Sequence, residues 1–528
     1  MFDLLIKNAK VVDGTSSPWY IADVAVKDGK IAKIGKICES ESIKTVDAKH
    51  NILAPGFIDI HSHSDFGILK HNLNESRVLQ GITTELGGDC GLSPIPVNPE
   101  NVDLLKKYVE FLEKDIDFCW TDAGGFFDKI EKAGTSVNFA MTVGHGSIRL
   151  AVMGFDDSRP TFDELEKMRI LAAQSMEQGC FGLSTGLIYP PGSFAENDEI
   201  IELAKVVASY GGFYKSHMRW QEERILESVE DTIDVALKAE LPVQIVHIKA
   251  KGRKNWKYKA HAVTALIARA RENGLDISAD QYPYCASSST LTMVIPQWAL
   301  VGGTVKMLER LKDSETRKEI AETIRKESAE SLSSWSDYFV ASINGEKNAW
   351  VKGKSIAEIA EQLDKDPVEA LIDLLIEEDG NISQISFAVC EDDLEHFMRQ
   401  PFVMIGSDGW TIPLNTKNIP HPRSFGSFPR VIAKYCRERK LFSLETAINK
   451  MTGMPAARIG LADRGVIKAG MWADLVLFDF DKIYDTPTFT KPAAACEGIL
   501  QVYINGVLTA ENGVHTGAAA GKVLRRGH

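Results

Sequence analysis

His61, Ser62 and His63 bring two histidines closest together in this chain, and Asp65 follows two positions later. In an extended segment the period of two sends both imidazoles to one side, where neutral ring nitrogens can chelate one borderline metal ion. Cys90, His217, His247 and Asp408 are further candidates, each standing alone in the sequence. A thiolate, imidazoles and a carboxylate form a donor set suited to zinc. Zinc so held lowers the pKa of water toward about 7 and polarises carbonyl groups, which is the chemistry of hydrolysis at neutral pH. Singly, every candidate has a plainer reading. An isolated His-x-His is as readily a solvated pair, a lone cysteine is more often a small buried hydrophobe, and Asp408 in Ser407-Asp408-Gly409 is a turn or cap residue.

What can unite them is the arrangement of the elements that carry them. Apolar or β-branched runs at 56–61, 83–86, 137–143, 181–184, 212–217, 243–247, 276–280 and 403–407 alternate with amphipathic helical stretches. In one such stretch Leu165, Met168, Ala172 and Met176 recur at three- and four-residue steps, and Gly179 follows as a stop. The βαβα pattern with eight strands predicts an α/β chain folded as a (β/α)₈ TIM-like barrel. The candidates lie at or just past the ends of the first, second, fifth, sixth and eighth of these strands. In such a barrel those ends share one mouth, so ligands distant in sequence converge there.

The two chain ends read differently. Between Phe2 and Val46 short alternating segments are separated by Asp13-Gly14 and Asp28-Gly29, and the same alternation returns around Ala469-Gly470 and Asn505-Gly506. Residues 1–54 and 455–528 are therefore expected to build one small β-sandwich beside a barrel domain over 55–454. The stretch from Tyr282 to about Phe402 is too long for one strand-to-helix connection and holds a charged helical segment, 306–328, so an inserted subdomain is expected at about 285–345. A further apolar run at 385–389 competes for a place among the barrel strands.

With 528 residues, of which 44% are hydrophobic and 25% charged, the chain can fill a large barrel and a satellite domain. A formal net charge of −13 opposes binding to a phosphate backbone, and only the short 251–257 stretch is basic, so no nucleic-acid partner is expected. The eight cysteines lack Cys-x-x-Cys spacing, which fits reduced thiols in the cytoplasm better than a disulfide framework or a zinc ribbon. Asp3 and Lys7 interrupt any signal-peptide core, and no segment is long enough to span a bilayer, so a soluble cytoplasmic protein without a membrane partner is expected. Nothing in the sequence specifies an oligomeric state.

Pro55-Gly56-Phe57-Ile58-Asp59-Ile60-His61-Ser62-His63 resembles the opening signature of the amidohydrolase superfamily, whose architecture is also a barrel with a split β-sandwich. Within that superfamily, Gly87-Gly88-Asp89-Cys90-Gly91, the run from Ser184 to Pro191, Asp280-Gln281-Tyr282-Pro283-Tyr284 and the run from His421 to Gly426 resemble the N-acyl-D-amino-acid deacylases. The likeness covers essentially the whole chain. It implies that Cys90, His217 and His247 hold one zinc tightly, while His61, His63 and Asp408 form a neighbouring, weaker metal position. It further implies a small N-acylated D-amino acid as substrate and Asp408 as proton shuttle, taking a proton from water and returning it to the leaving nitrogen. Hydantoinases and dihydroorotases of the same superfamily bridge two metals with a carboxylated lysine on the fourth strand, and 181–187 contains no lysine. A cyclic-amide hydrolase of that kind, or a dipeptidase releasing D-amino acids, is the alternative enzyme. A non-catalytic metal-binding scaffold fits a complete ligand set poorly.

Lys249 follows His247 by two, on the same strand face by alternation, and can meet the substrate carboxylate at the site rim. Its plain alternative is a solvated lysine in the run with Lys251, Arg253 and Lys254. Tyr189, Tyr282 and Ser287 supply hydroxyl groups that could orient amide or carboxylate, and Arg423 and Arg149 are further cations. His145 is as readily structural as catalytic, and Lys215, two before His217, is read as structural or ion-paired.

Overall fold

The computed structural model describes residues 1–331, 334–343 and 345–527. The barrel strands, β1 to β8, are Phe57–Asp59, Ile82–Gly87, Asn138–Met141, Gly182–Gly186, Phe213–His217, Val243–Ile245, Ile277–Gln281 and Val403–Ile405. β1, β2 and β3 pair in parallel, as do β4 through β8. The expected continuous strand 137–143 is interrupted at Thr142, after which Val143–Gly144 pairs with β4. Closure from β8 to β1 comes from a parallel bridge between Ser62 and Gly409, with the Asp408 amide donating to the His61 carbonyl at 2.9 Å.

The strands form where they do because both of their faces are covered. Val243, Ile245, Ile277, Ala279, Val403 and Ile405 are all buried, and so are Gln244, Ser278 and Met404 on the alternate face, as residues in a closed parallel sheet wrapped by helices must be. The helix Phe162–Glu177 shows the local rules at work: Thr161 and Glu164 form a reciprocal capping box, and Met168, Ala172 and Met176 face inward.

Both chain ends enter one nine-stranded sheet, in which Ile52–Pro55 lies between Phe2–Val11 and Leu475–Phe478. Side-chain alternation divides its two faces. Leu53, Leu475 and Leu477 join Leu4, Val24 and Tyr503 in the sandwich core, whereas Ile52, Ala54, Val476 and Phe478 pack with Phe57, Val431 and Ile448 toward the barrel. A final extended strap crosses the barrel floor. Its Leu524 amide donates to the Phe139 carbonyl at 2.7 Å, and its side chain packs against a cluster containing Ile58, Leu86, Phe213 and Met404.

Between β7 and β8 the strands Ser287–Thr290, Tyr338–Ile343 and Ile382–Ser386 form an antiparallel sheet with the last in the middle. Four helices, Gly303–Lys312, Ser314–Ser331, Ile356–Leu363 and Pro367–Glu377, pack with this sheet around a separate core that includes Leu311, Ile320, Ile359 and Leu371. The expected boundary near 345 thus falls inside this unit. The apolar run at 385–389 that competed for a barrel position lies in this unit instead, with Ile385 and Ser386 ending its central strand and 387–389 following it, because periodicity does not reveal which sheet an apolar run joins. The charged segment 306–328 is spread over two helices that meet at Asp313.

Candidate metal and active site

The six expected metal-binding side chains meet at the C-terminal mouth of the barrel. Cys90 Sγ lies 3.4 Å from His61 Nε2, from His247 Nε2 and from His217 Nδ1. His217 Nδ1 and His247 Nε2 are 2.9 Å apart. On the adjacent side Asp408 Oδ1 is 3.2 Å from His63 Nε2 and 3.4 Å from His61 Nε2. One donor atom from each of His61, Cys90, His247 and Asp408 falls within 4.8 Å of all the others. Thiolate, imidazole and carboxylate atoms turned on one point at these separations are the donor set of a zinc-type cation.

Backbone conformation contributes to this convergence. Cys90, His247 and Asp408 adopt φ of 52°, 35° and 52°, a left-handed region that costs a non-glycine residue about 1–3 kcal/mol and persists only where its surroundings impose it. The glycines around Cys90 are required by close approach. Gly88 and Gly91 have φ of +73° and +74°, and a Cβ there would strike the Thr142 carbonyl or the Gly186 backbone.

Buried polar groups beneath the mouth hold the ligand-bearing segments. The Arg77 guanidinium pairs with Asp59 and, at 2.8 Å, with Glu85, and donates to Ser407 Oγ at 2.7 Å. Glu85 accepts the Ser62 and Ser64 hydroxyls at 2.8 Å each, and Asp59 accepts the Ser407 amide at 2.8 Å. One guanidinium therefore ties together β1, β2 and the segment that follows β8. Lys215 donates to the Ile60 carbonyl at 2.6 Å and pairs with Asp89, the neighbour of Cys90. Asp280 accepts from His61 Nδ1 at 3.0 Å, from the His247 amide at 2.9 Å and from Gln244 Nε2 at 2.6 Å. Such a carboxylate fixes the imidazole with Nε2 turned to the site.

The electrostatics agree with the donor chemistry. Burial alone would raise the Cys90 thiol, but His61 and His217 beside it hold it well below its ordinary value. Burial pushes His217 down, and together with Lys249 and His217 it pushes His247 far down, so both imidazoles stay neutral. A thiolate and neutral imidazoles are the metal-binding forms of these residues. Burial would also raise Asp408, yet Arg423, His61 and His63 keep its carboxyl well below the usual range. Burial opposes charge on His63 as well, and Asp408 and Cys90 nevertheless raise it to about 10. That negative surrounding favours a cation at this second position.

The mouth opens into a cavity of about 620 Å³ whose walls include His63, Cys90, His217, His247, Lys249 and Asp408. Lys249 is 5% exposed, not at the rim as expected, and its ammonium donates to the His247 carbonyl at 3.0 Å. Burial, with Lys251 and Arg423 and against the pull of Asp408, lowers it to about 7. Arg423 Nη1 pairs with Asp408 Oδ2 at 2.6 Å. The ring of Tyr282 lies 5.5 Å from the Lys249 ammonium and 5.0 Å from the Arg423 guanidinium, and its hydroxyl is buried beside them. Tyr189 packs edge-on to His217 with ring centroids 5.1 Å apart, and Ser287 Oγ shares a hydrogen bond with Ser386 Oγ at 2.8 Å. Arg149, weighed as a cation for the substrate, is instead engaged by Glu199 at 2.5 Å and by backbone carbonyls, and Glu199 also meets His145 at 2.7 Å. Sequence reading missed Arg77, Asp280 and Gln221, whose Nε2 lies 3.3 Å from His247 Nδ1. For Asp280 the signal was present, since it lies at the C-terminal end of a barrel strand.

The amidohydrolase family model matches residues 44–510. The chain is 33% identical over 526 residues to D-aminoacylase of Alcaligenes xylosoxydans xylosoxydans, covering 99% of this chain and 98% of that protein. It is also 33% identical over 506 residues to N-acyl-D-glutamate deacylase of the same organism, covering 96% and 93%. Among solved structures, N-acyl-D-glutamate deacylase from Bordetella bronchiseptica, complexed with zinc and a phosphonate mimic of the tetrahedral intermediate, aligns with a TM-score of 0.84 and 31% identity over 99% of each chain. Similarity that runs from end to end in both sequence and fold makes this chain a member of the amidohydrolase family, within its D-aminoacylase branch.

Proposed function

We propose that this protein is a zinc-dependent deacylase that hydrolyses the amide of N-acyl-D-amino acids to a carboxylate and a free D-amino acid. The observation that carries this reading is the Cys90, His217 and His247 cluster facing one cavity with Asp408, Lys249 and Arg423. The D-aminoacylase likeness along nearly the whole chain supports the same substrate class. Cys90, His217 and His247 would hold the tight ion, with His61, His63 and Asp408 as a weaker second position. A divalent ion there supplies a Lewis acid and makes water acidic enough to attack at neutral pH.

The remaining chemistry belongs to the side chains. Arg423 fixes Asp408 Oδ2, which leaves Oδ1 on the His61 and His63 side to take a proton from the attacking water. Asp408 then gives that proton to the amide nitrogen, which must be protonated before the C–N bond breaks. Lys249 has no carboxylate within 4 Å among the described residues, so with Arg423 it offers the charge that an α-carboxylate requires. β4, Gly182–Gly186, carries no lysine that could bridge two metals in the manner of a cyclic-amide hydrolase. No helix among the described residues is long and apolar enough to cross a membrane, and we place the enzyme in the cytoplasm with its eight free cysteines reduced.

The test is the release of free amine by the zinc-loaded protein from N-acetyl-D-methionine, its L-enantiomer, an L,D-dipeptide and a hydantoin. Turnover of the D-compound is expected to exceed the others by roughly a hundredfold, the scale on which a shaped site discriminates. Equal rates on both enantiomers, or faster opening of the hydantoin, would remove the assignment.

A further inference from the structure

The cavity has two unlike walls. On the side of β6 and β8 it is polar, with Lys249 and Arg423 beside Ser287 and Ser288, and Arg423 donates to the Ser288 carbonyl at 3.3 Å. On the side of β2 and β4 the connections bring apolar Leu92, Phe111, Leu112 and Ile188 to it, and Met293 and Val294 of the inserted unit add to the apolar lining. All of these except Leu92 are only half-buried, and all of them line the cavity. The inserted unit closes this wall from above: Gln297 donates to the Ile188 carbonyl at 3.1 Å, and Asn381 donates to Glu110 at 2.9 Å. Arg219, the cation nearest in sequence to His217 on this side, has both terminal nitrogens bound to the carbonyls of Ser193 and Ala195 at 2.7 and 2.6 Å.

This polarity orients a substrate. In an eight-stranded barrel, β2 and β4 lie across the mouth from β6 and β8. With the α-carboxylate on Lys249 and Arg423 and the scissile amide over the Cys90 cluster, the acyl group must continue toward the apolar wall. A volume of about 620 Å³ lies within the roughly 300–1,000 Å³ of pockets that enclose drug-sized ligands, and an acetyl group would leave the wall uncovered. Resting on the deacylase reading, we infer that the natural acyl group is a medium-length straight aliphatic chain laid against Leu92, Phe111, Ile188 and Met293. Hydrolysis then consumes one water. Its oxygen bonds to the acyl carbon as the C–N bond breaks, both of its protons end on the nitrogen, and a fatty carboxylate and the D-amino acid with its ammonium group leave.

The experiment is a chain-length series on the zinc-loaded enzyme: N-acetyl-, N-butanoyl-, N-hexanoyl- and N-octanoyl-D-methionine. Burial of a methylene is worth about 0.8 kcal/mol, a factor of about four, so kcat/KM is expected to rise roughly twofold to fourfold per methylene and by roughly sixtyfold or more over the six methylenes from acetyl to octanoyl. Phe111→Ser and Met293→Ser are each expected to lower the octanoyl-to-acetyl ratio by roughly threefold or more, and Phe111→Leu to restore most of it. Acetyl equal to or better than octanoyl, or a ratio unmoved by both serine variants, overturns the acyl-chain inference while the deacylase reading stands. Failure to cleave any member of the series overturns the deacylase reading itself.

Discussion

Asp408 commits one oxygen to Arg423 and turns the other toward His61 and His63, so its two roles as metal ligand and proton carrier can be separated by chemistry. Asp408→Asn keeps the shape and removes the base. We expect kcat to fall by about a hundredfold or more while the tight zinc stays bound, with metal content measured by elemental analysis beside the steady-state kinetics. Near-normal turnover would end the proton-carrier role. The two metal positions are separated in the same way. Cys90 is central to the cluster and contributes charge as a thiolate, so Cys90→Ala is expected to lose zinc and activity together. His61→Ala is expected to keep the tight zinc and weaken the second position, as read by metal titration. Equal loss of tight zinc from both variants would mean that the division between the positions is drawn wrongly.

The strands of this barrel were legible from their apolar or β-branched residues, such as Val243, Ile245, Ile277 and Val403, while the buried polar residues on the other face, such as Gln244 and Ser278, show that both faces are covered. The ligands were legible because a barrel gathers its strand ends, so the single residues Cys90 and Asp408 gained meaning from position rather than type. The inserted unit's extent was not, since Ile382–Ser386 carries only two apolar residues, Ile382 and Ile385, and its place in the unit is set by its partners rather than by its composition. Nor was the network around Arg77, which sits in the short helix Glu75–Val78, where nothing in the spacing marks it as fully buried. A comparable buried network joins two helices that cover the barrel. Glu199 on Asn197–Ser209 meets His145 and Arg149 on His145–Met153. Burial would raise the Glu199 carboxyl, but those two partners hold it below its ordinary 4.5. Because the folded value lies below the unfolded one, its stabilisation is complete above about pH 4.5 and is lost as pH falls through the lowered value. Urea midpoints of the parent and of Glu199→Gln are therefore expected to differ at pH 7 and to converge in acid; a gap that persists in acid would show that charge on Glu199 is not its source.

At the scale of the whole molecule, residues remote in sequence complete one another's surfaces. The strap that crosses the barrel floor places Leu524 against Ile58, Leu86 and Phe213, so Leu524→Asp puts a charge beside the base of the barrel. We expect the unfolding temperature to drop by a few degrees, measured by calorimetry, with kcat retained at temperatures where the barrel stays folded, because the ligands sit at the opposite end. An unchanged unfolding temperature would mean that the strap contributes little to the fold. The nine-stranded sheet has a related property, since one edge of Ile52–Pro55 pairs with Phe2–Val11 but the other finds its partner only in Leu475–Phe478. During synthesis at roughly 5–20 residues per second, the edge of Ile52–Pro55 stays open for tens of seconds while the whole barrel emerges. The nascent chain must keep a bare apolar β-edge from pairing with its neighbours on the same message, so expression yield in a cell will depend on translation rate and chaperone supply even where the finished enzyme is stable.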